Sequence, residues 1–564
     1  MHKPGHKYIF VIGGVMSGVG KGIATSSLAK VLQTKGFKVN LIKIDPYLNV
    51  DAGTMNPTEH GEVFVLRSGR ECDQDMGNYE RFLGTDLREE DYITSGMVYQ
   101  HVINKERNLG YKGKCVEAIP HIRDEIIARF QKAADLNGSR ISVIEIGGTV
   151  GDYQNVMFIE AARVLHVKNP DDVLFVMVSF LPIPRKLGEM KTKPTQNAVR
   201  QLNAYGIQPD VIIARSSVPL DKKRKEKIAI SCNIRSEHVI SAPDIDNIYD
   251  VPLNFEKDNL GEIFLSLLKL KSIGDKTNMK KWRSFVKKMH TAQDEVNIAI
   301  VGKYFDTGDF ILSDAYLSVI EAIKFSAYSL GFKPMIHWLN AKEFSTEGNT
   351  KSGVGKKLQS LSKYDGIIVP GGFGETGIEG KLRVIEYART KKIPYFGLCY
   401  GMQLMMVEYA RNVLGMKKAH TVEIEPDTKY AVIDIMPEQK KLIAKNNYGG
   451  TMRLGTYPTR LKEGTIARDE YGKKNIEERH RHRYEVNPEY IEKFEEGGMV
   501  FSGVSPDEVL MEIAELPKKK HPFFLGTQFH PEFQARPLAP HPLFSAFIKA
   551  SIERKQKHGK KKQK

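Results

Sequence analysis

The sequence predicts an α/β protein of two parallel-sheet domains: an N-terminal Rossmann-like domain of P-loop type and a C-terminal α/β domain. Three observations carry this. Short β-branched runs alternate with helical stretches from the first residues, the βαβ order of a sheet covered by helices. The alternation gives way to a lysine-rich mixed stretch around Leu268 to Asp294 and starts afresh at Val296. A length of 564 residues also exceeds one domain, because about 150 residues per domain gives roughly three to four units, or two large α/β ones. No short-period repeat points to a solenoid or propeller.

YIFVIGG reads as the first strand, GKGIATSSLAKVLQTKG as its crossover helix and FKVNLIKIDPY as the second strand. ISVIEIGG, DVLFVMVSF and DVIIARSS are further strands, each short, β-branched and closed by Gly, Pro or Ser. After the lysine-rich stretch come a strand at NIAIVG, a helix over SDAYLSVIEAIKFSAYSLG, and strands at YDGIIVPGGFG and IPYFGLCYGMQ. These set the first domain at 1–272, a linker at 273–294, the second domain at 295–553 and a disordered basic tail at 554–564.

Composition narrows the function classes. An apolar share of 41% and a charged share of 27% are those of a soluble globular chain. The run Val173 to Ile183 is too short to cross a bilayer as a helix and is broken by Pro182, and the first residues lack a secretory cleavage pattern. The expectation is a cytoplasmic protein with no membrane partner. Cys72, Cys115, Cys232 and Cys399 are too scattered for a disulfide framework or a zinc ribbon. The net charge of +16 is partly carried by the C-terminal RKQKHGKKKQK run. With no RNA-recognition, KH or helix-turn-helix signature, nucleotides are favoured over nucleic acid.

The segment Gly13 to Gly22 lies between a strand and a helix, where backbone N–H groups and the helix dipole attract phosphate. Lys21 adds charge. The segment departs twice from GxxxxGK[ST]: Val15 occupies the place of the first glycine, and Gly22 replaces the hydroxyl residue that would hold magnesium. Mg²⁺ must then find carboxylates, and Asp75, in the acidic loop Glu71 to Asp75, and Glu145, at the end of ISVIEIGG, are the candidates. Lys43, near the end of the second strand, is a second cation for the same phosphates; a solvated lysine fits its position equally. Lys191, Thr192, Lys193, Pro194, Thr195 and Gln196 could clamp a triphosphate, though an exposed basic turn has the same composition.

In the second domain, Gly397-Leu398-Cys399-Tyr400-Gly401 is a strand-to-helix elbow with Cys as the nucleophile. The helix dipole favours a thiolate there. TQFHPEF puts His530 and Glu532 two apart on a strand end, hence on one face, as base and orienting carboxylate. Backbone N–H groups of Tyr400 and of the Pro370 to Gly374 loop would stabilise the oxyanion.

Taken together, GGVMSGVGKG, KIDPYLNVDAGTMNPTEHGEVFV, NYERF, EIGGTVGD, GEMKTKPTQ, PGGFG, GLCYGMQ, ERHRHRYEVN and QFHPEF closely resemble the CTP synthase family over nearly the whole chain. The resemblance implies a synthase domain followed by a class I glutaminase domain. It implies that ATP phosphorylates UTP, that ammonia from glutamine displaces the phosphate, and that the ammonia crosses through a tunnel. It assigns Ser17, Gly18, Val19, Gly20, Lys21, Gly22, Ile23 and Lys43 to ATP, with Arg215, Pro243, Asp244 and Ile245 near the adenine, and Asp75 and Glu145 to Mg²⁺. UTP, or CTP as feedback inhibitor, falls to Ser17, Asp152, Tyr153, Gln154, Lys191 to Gln196, and Lys227. Glutamine falls to Gly372, Tyr400, Gly401, Met402, Gln403, Glu423 and Arg483. GTP as activator and a homotetramer are further implications, and assembly into filaments stays open as an additional property.

Three positions depart from the family pattern: Gln154 for Glu, Thr376 for Arg in the loop linked to GTP activation, and Tyr400 for Leu after the cysteine. A cobyrinate-type amidoligase and a filament-forming nucleotide-binding assembly protein are the competing readings.

Overall fold

Strands covered on both faces must be apolar throughout rather than alternating, and all eight residues of the first strand are buried. The computed structural model describes residues 5–56, 60–184, 188–274, 277–302, 313–346, 350–372, 374–436 and 452–562. The chain divides into one unit of Met1–Ala52 with Asp75–Val286 and a second of Gly53–Gln74 with Lys287–Lys564.

The first unit is built on seven strands: β1 (Lys7–Gly14), β2 (Val39–Asp45), β3 (Tyr92–Thr94), β4 (Ile141–Ile146), β5 (Val173–Phe180), β6 (Val211–Ser216) and β7 (Val239–Pro243). Their order is β3-β2-β4-β1-β5-β6-β7, and every neighbouring pair is parallel. The strand order reverses at β1, and such a switch point opens a ligand crevice at the carboxyl ends of the strands. Helix α1 (Lys21–Thr34) leaves from there, and α2 (Asp75–Leu83) and α3 (Lys193–Ala204) bring further polar residues. In the core, Phe10 meets Phe130 at 5.5 Å and Phe175 at 5.8 Å between ring centroids.

Most of 273–294, expected to be a linker, is a helix, Thr277–Thr291. Met279, Trp282, Phe285 and Val286 recur at helical spacing within the lysine-rich composition and are buried. The Trp282 ring lies 5.4 Å from that of Phe82, and its Nε1 donates to Tyr249 O at 2.9 Å.

In the second unit the labelled strands are β8 (Glu295–Gly302), β9 (Lys333–Asn340), β10 (Gly366–Val369), β11 (Tyr395–Leu398), β12 (Arg453–Leu461), β13 (Asn475–His482), β14 (Val500–Val504), β15 (Met511–Glu515) and β16 (Phe524–Thr527). They form one sheet in the order β9-β8-β10-β11-β16-β15-β14-β12-β13. It is parallel from β9 to β16 and antiparallel beyond. Helix α4 (Tyr400–Asn412) follows β11.

Two boundaries differ from the sequence expectation. Residues 53–74 group with the second unit rather than with 1–272. Phe64 packs on Phe533 at 5.1 Å, Arg479 donates to Val65 O at 3.0 Å, and Arg481 Nε donates to Glu71 Oε1 at 2.8 Å. The basic run from Arg554, read as a disordered tail, is helical through Lys562 in α5 (Pro542–Lys562). Its apolar face, with Phe544, Phe547, Ile548 and Ile552 buried, carries the turns that precede the run. Arg554 Nε donates to Tyr364 O at 3.4 Å, and cations suit a helix C-terminus.

Candidate active sites

The β1–α1 turn is built from left-handed backbone: φ is +80° at Val15, +69° at Gly18 and +85° at Gly20. Lys21 opens α1 and donates to Gly148 O at 2.7 Å. Burial, with Lys43 nearby, holds the Lys21 ammonium below its ordinary value, while Glu145 and Asp75 work the other way. The glycine at position 22 has a steric reason: a Cβ there would lie 2.2 Å from Asp75 Oδ1. A carboxylate therefore sits over the position from which a P-loop Ser or Thr would project. Asp75 begins α2 rather than lying in a loop.

Lys43 is the hub of this site. Its Nζ lies 2.6 Å from Asp75 Oδ2, 2.8 Å from Glu145 Oε1 and 3.8 Å from Asp45 Oδ1. Burial opposes its charge, but Asp75, Glu145 and Asp45 outweigh it and hold Lys43 well above the usual lysine range. Tyr79 OH makes a short hydrogen bond to Glu145 Oε2. Lys43 thus stands in an ion pair with both candidate Mg²⁺ ligands. No three His, Cys, Asp or Glu side chains among the described residues form a metal-holding group. The donors nonetheless suit Mg²⁺, which commonly takes one or two carboxylates together with substrate phosphates.

The other expected nucleotide residues divide. Arg215 Nη2 donates to Asp244 Oδ1 at 2.8 Å, and a Cβ on Gly20 would be 3.5 Å from Arg215 Nη1, so these groups meet at the loop. Pro243 ends β7, and Ile245 is half-buried beyond it. Asp152 Oδ2 accepts from Thr149 N at 2.6 Å beside Gly148. Thr195, at the start of α3, bonds Ser179 at 2.8 Å, and Gln196 Nε2 donates to Thr192 Oγ1 at 3.2 Å. Lys191 pairs with Glu189 at 2.6 Å. Tyr153 is 96% exposed, and Gln154 and Lys227 are exposed as well.

In the second unit the elbow is strained as a nucleophile turn requires. Cys399 has φ 49° and ψ −101° at the N-terminus of α4. A Cβ on Gly401 would lie 2.0 Å from Val369 O, and one on Gly397 would lie 2.7 Å from Gly401 C. The backbone at Gly371 approaches both side chains closely, since a Cβ there would come within 2.9 Å of His530 Cε1 and 3.8 Å of Cys399 Cβ. A cavity of about 70 Å³ is lined by Glu62, Gly371, Gly372, Cys399, Arg481 and His530.

His530 Nδ1 is 2.7 Å from Glu532 Oε1. They are not on a strand end: His530 caps, and Glu532 lies within, a 3₁₀ turn, Pro531–Gln534, just past β16. That turn, rather than strand alternation, brings the pair together. Burial disfavours the imidazolium, but Glu532 and the Cys399 sulfur outweigh it and push His530 up to about 10.

Glu423 Oε1 accepts from Gly374 N at 2.9 Å. Tyr400, at a departure from the family pattern, donates its hydroxyl to Gly374 O at 3.2 Å. Gly401, Met402 and Gln403 fill the first turn of α4. Arg483 is half-buried, and its carbonyl accepts from Met436 N at 3.2 Å. Thr376 is exposed. Phe373, within the expected oxyanion loop, lies outside the described residues.

Several neighbours of the sites had no signal in local spacing. Gln528, whose Nε2 donates to Cys399 Sγ at 3.6 Å, stood in the QFHPEF match without a role. Glu62 reaches the cysteine cavity from the first half of the sequence and accepts from Ser318 N at 3.1 Å.

A phosphate-type loop in one unit and a cysteine elbow in the other define a nucleotide-binding, glutamine-using ligase. The class I glutamine amidotransferase family model matches residues 311–550 and the CTP synthase N-terminus model matches residues 7–270. The chain belongs to the CTP synthase family. It is 49% identical to the CTP synthase of Pyrococcus furiosus over 98% of each chain, and 45% identical to that of Methanothermobacter thermautotrophicus over 97% of this chain and 99% of the relative. Among solved structures, the glutaminase domain of Trypanosoma brucei CTPS with bound acivicin aligns with 46% of this chain and 94% of its own, at 33% identity and a TM-score of 0.41. No helix among the described residues is long and apolar enough to cross a membrane.

Proposed function

We propose that the second unit releases ammonia from glutamine and that the first uses it, with ATP, to aminate UTP to CTP. The observation that supports this most is Cys399 in a strained elbow beside an imidazole already paired with Glu532.

In this reading the Cys399 thiolate attacks the side-chain amide carbon of glutamine. The N–H groups of Tyr400 and the Gly371–Gly372 loop receive the negative oxygen. The C–N bond breaks as His530 gives its proton to the departing ammonia, and a thioester remains. Water, deprotonated by His530, then releases glutamate. Gly372, Gly401, Met402, Gln403, Glu423 and Arg483 hold the substrate.

In the first unit, Ser17 to Ile23 receive the ATP phosphates, and Arg215 with Pro243 to Ile245 borders the adenine. Lys21, whose Nζ donates to Gly148 O, and Lys43 supply the cations that turn to phosphate. The γ-phosphoryl group passes to O4 of UTP, ammonia attacks C4, and inorganic phosphate leaves with O4. Positioning and charge neutralisation suffice for such a transfer. Asp75 and Glu145 would hold Mg²⁺, which when bound supplies charge neutralisation at the phosphates. UTP lies against Ser17, Asp152 to Gln154, Lys191 to Gln196, and Lys227. The same reading takes CTP as feedback inhibitor, GTP as activator with Thr376 weakening the response, a homotetramer able to extend into filaments, and the cytoplasm as compartment.

The test is CTP formation from UTP, ATP and Mg²⁺ with glutamine or ammonia. Cys399→Ala should lower the glutamine-dependent rate by about 10³-fold or more while leaving the ammonia-dependent rate. Absence of CTP from either nitrogen source in the folded wild type would favour an amidoligase of other substrate or an assembly protein.

A further inference from the structure

Behind the cysteine runs a line of buried polar groups, several of which have no part in the roles above. Gln528 Nε2 donates to Cys399 Sγ at 3.6 Å, and Gln528 Oε1 accepts from Gln403 Nε2 at 3.3 Å. Gln403 Nε2 also donates to Tyr484 O at 2.8 Å, and that carbonyl lies 3.0 Å from His482 Nδ1. His482 Nε2 is 3.1 Å from His480 Nδ1, and His480 Nε2 is 3.7 Å from Glu512 Oε2. Arg453 Nη1 donates to Glu512 Oε1 at 2.8 Å, and Gln528 N donates to Glu512 O at 2.8 Å. The line therefore both starts and ends at Gln528.

One fixed acceptor places the protons. The Tyr484 carbonyl only accepts, so His482 carries its proton on Nδ1 and presents a bare Nε2. His480 then donates from Nδ1 and presents its own bare Nε2 to Glu512. If Glu512 were ionised, two acceptors would face each other, and neither His480 Nε2 nor Glu512 Oε2 has a hydrogen-bond partner. Such a pair is costly when buried, and a proton on Glu512 Oε2 relieves it by turning one of the two acceptors into a donor that faces the other at 3.7 Å.

The charged and titratable groups facing the pair are Arg453, His482, Glu485, Asp507 and, toward the cysteine, His530. Burial, Arg453, His482 and His530 hold His480 well below its ordinary value. Burial raises the Glu512 carboxyl to about 7 against the pull of Arg453. The proton therefore rests on Glu512 until it is lost near neutrality. Once it is lost, His480 must turn its proton toward the carboxylate and His482 must follow, which leaves the Tyr484 carbonyl without its imidazole donor.

We propose that Glu512, His480 and His482 form a buried positioning relay that holds one proton and, through Gln403, keeps Gln528 set against the Cys399 sulfur. Its state then tunes glutamine hydrolysis from a distance. The inference rests on Cys399 being the nucleophile.

Glutamate release by the full chain, measured from about pH 6 to about pH 9 for wild type, Glu512→Gln and Glu512→Ala, tests it. The amide of Glu512→Gln is a permanent donor to His480 Nε2. Its kcat/KM relative to wild type should rise with pH, by about tenfold over that range, and Glu512→Ala should lie about tenfold below wild type at low pH. Ammonia-dependent CTP formation at wild-type rates would show that the variants are folded. A ratio that stays flat with pH, or Glu512→Gln falling as far as Glu512→Ala, overturns the relay; the latter is the result expected of an ionised Glu512 serving only Arg453. Cys399→Ala separates the two readings, since glutamate release without the thiol would overturn the nucleophile itself.

Discussion

The β1–α1 and β11–α4 turns solve the same backbone problem for different chemistry. Each ends a buried parallel strand, passes through left-handed backbone and launches a helix whose N-terminus faces the site. In the first unit the turn is open, and its order comes from charge: Lys21 and Lys43 against Asp75, Glu145 and Asp45. In the second the turn is closed by backbone packed on backbone, and its order comes from steric fit. Phosphoryl transfer needs charges that can be re-paired when substrate arrives. A covalent nucleophile needs one atom held in place.

The comparison is broken most sharply at Gly401. With Val369 O 2.0 Å from where a Cβ would stand, Gly401→Ala must push α4 off the sheet. We expect the glutamine-dependent rate to fall by about 10²-fold and the second unit to lose about 1–3 kcal/mol of stability, with the ammonia-dependent rate retained. Paired assays with the two nitrogen sources and a thermal melt check this; an equal loss from both sources would mean that the damage is not confined to the elbow.

The matching change in the first unit is Gly22→Ser, which restores the ordinary P-loop residue. Its Cβ would collide with Asp75 Oδ1, and displacing that carboxylate also breaks its ion pair with Lys43. Both rates should fall together, by about tenfold or more. A variant as fast as wild type would show that Asp75 can be moved without loss, and that the site does not depend on the carboxylate standing there.

What could be read beforehand divides along the same line. The parallel strands around both turns and the Cys399 elbow were legible because glycine spacing and β-branched runs record backbone demands locally, whereas His530 and Glu532 were picked out by their spacing of two and are held together by a 3₁₀ turn instead of a strand end. The antiparallel extension β12 to β15 was not, since its strands carry charged residues such as Arg453, Glu478 and Glu512 at buried positions and so lack an apolar signature. Lys43 bridging Asp75 and Glu145 and Glu62 reaching the cysteine cavity depend on distant strands and loops meeting, which no spacing encodes. The helical fate of the linker stretch was hidden because lysines mask the period of Met279, Trp282 and Phe285.

The smallest effect concerns backbone strain that the first turn carries without evident need. Val15 is a β-branched residue at φ +80° and is 40% exposed. Left-handed backbone costs such a residue about 1–2 kcal/mol, while glycine loses about 0.5–1 kcal/mol through extra freedom in the unfolded chain. Val15→Gly should therefore stabilise the first unit by roughly 0.5–1 kcal/mol, a rise of a few degrees in its melting temperature. At Cys399, also at positive φ, the strain cannot be relieved in this way, because the strained residue carries the sulfur. A fall in melting temperature for Val15→Gly would show that the valine side chain makes contacts worth more than its strain, and the first turn would then resemble the second in being held by fit rather than by charge alone.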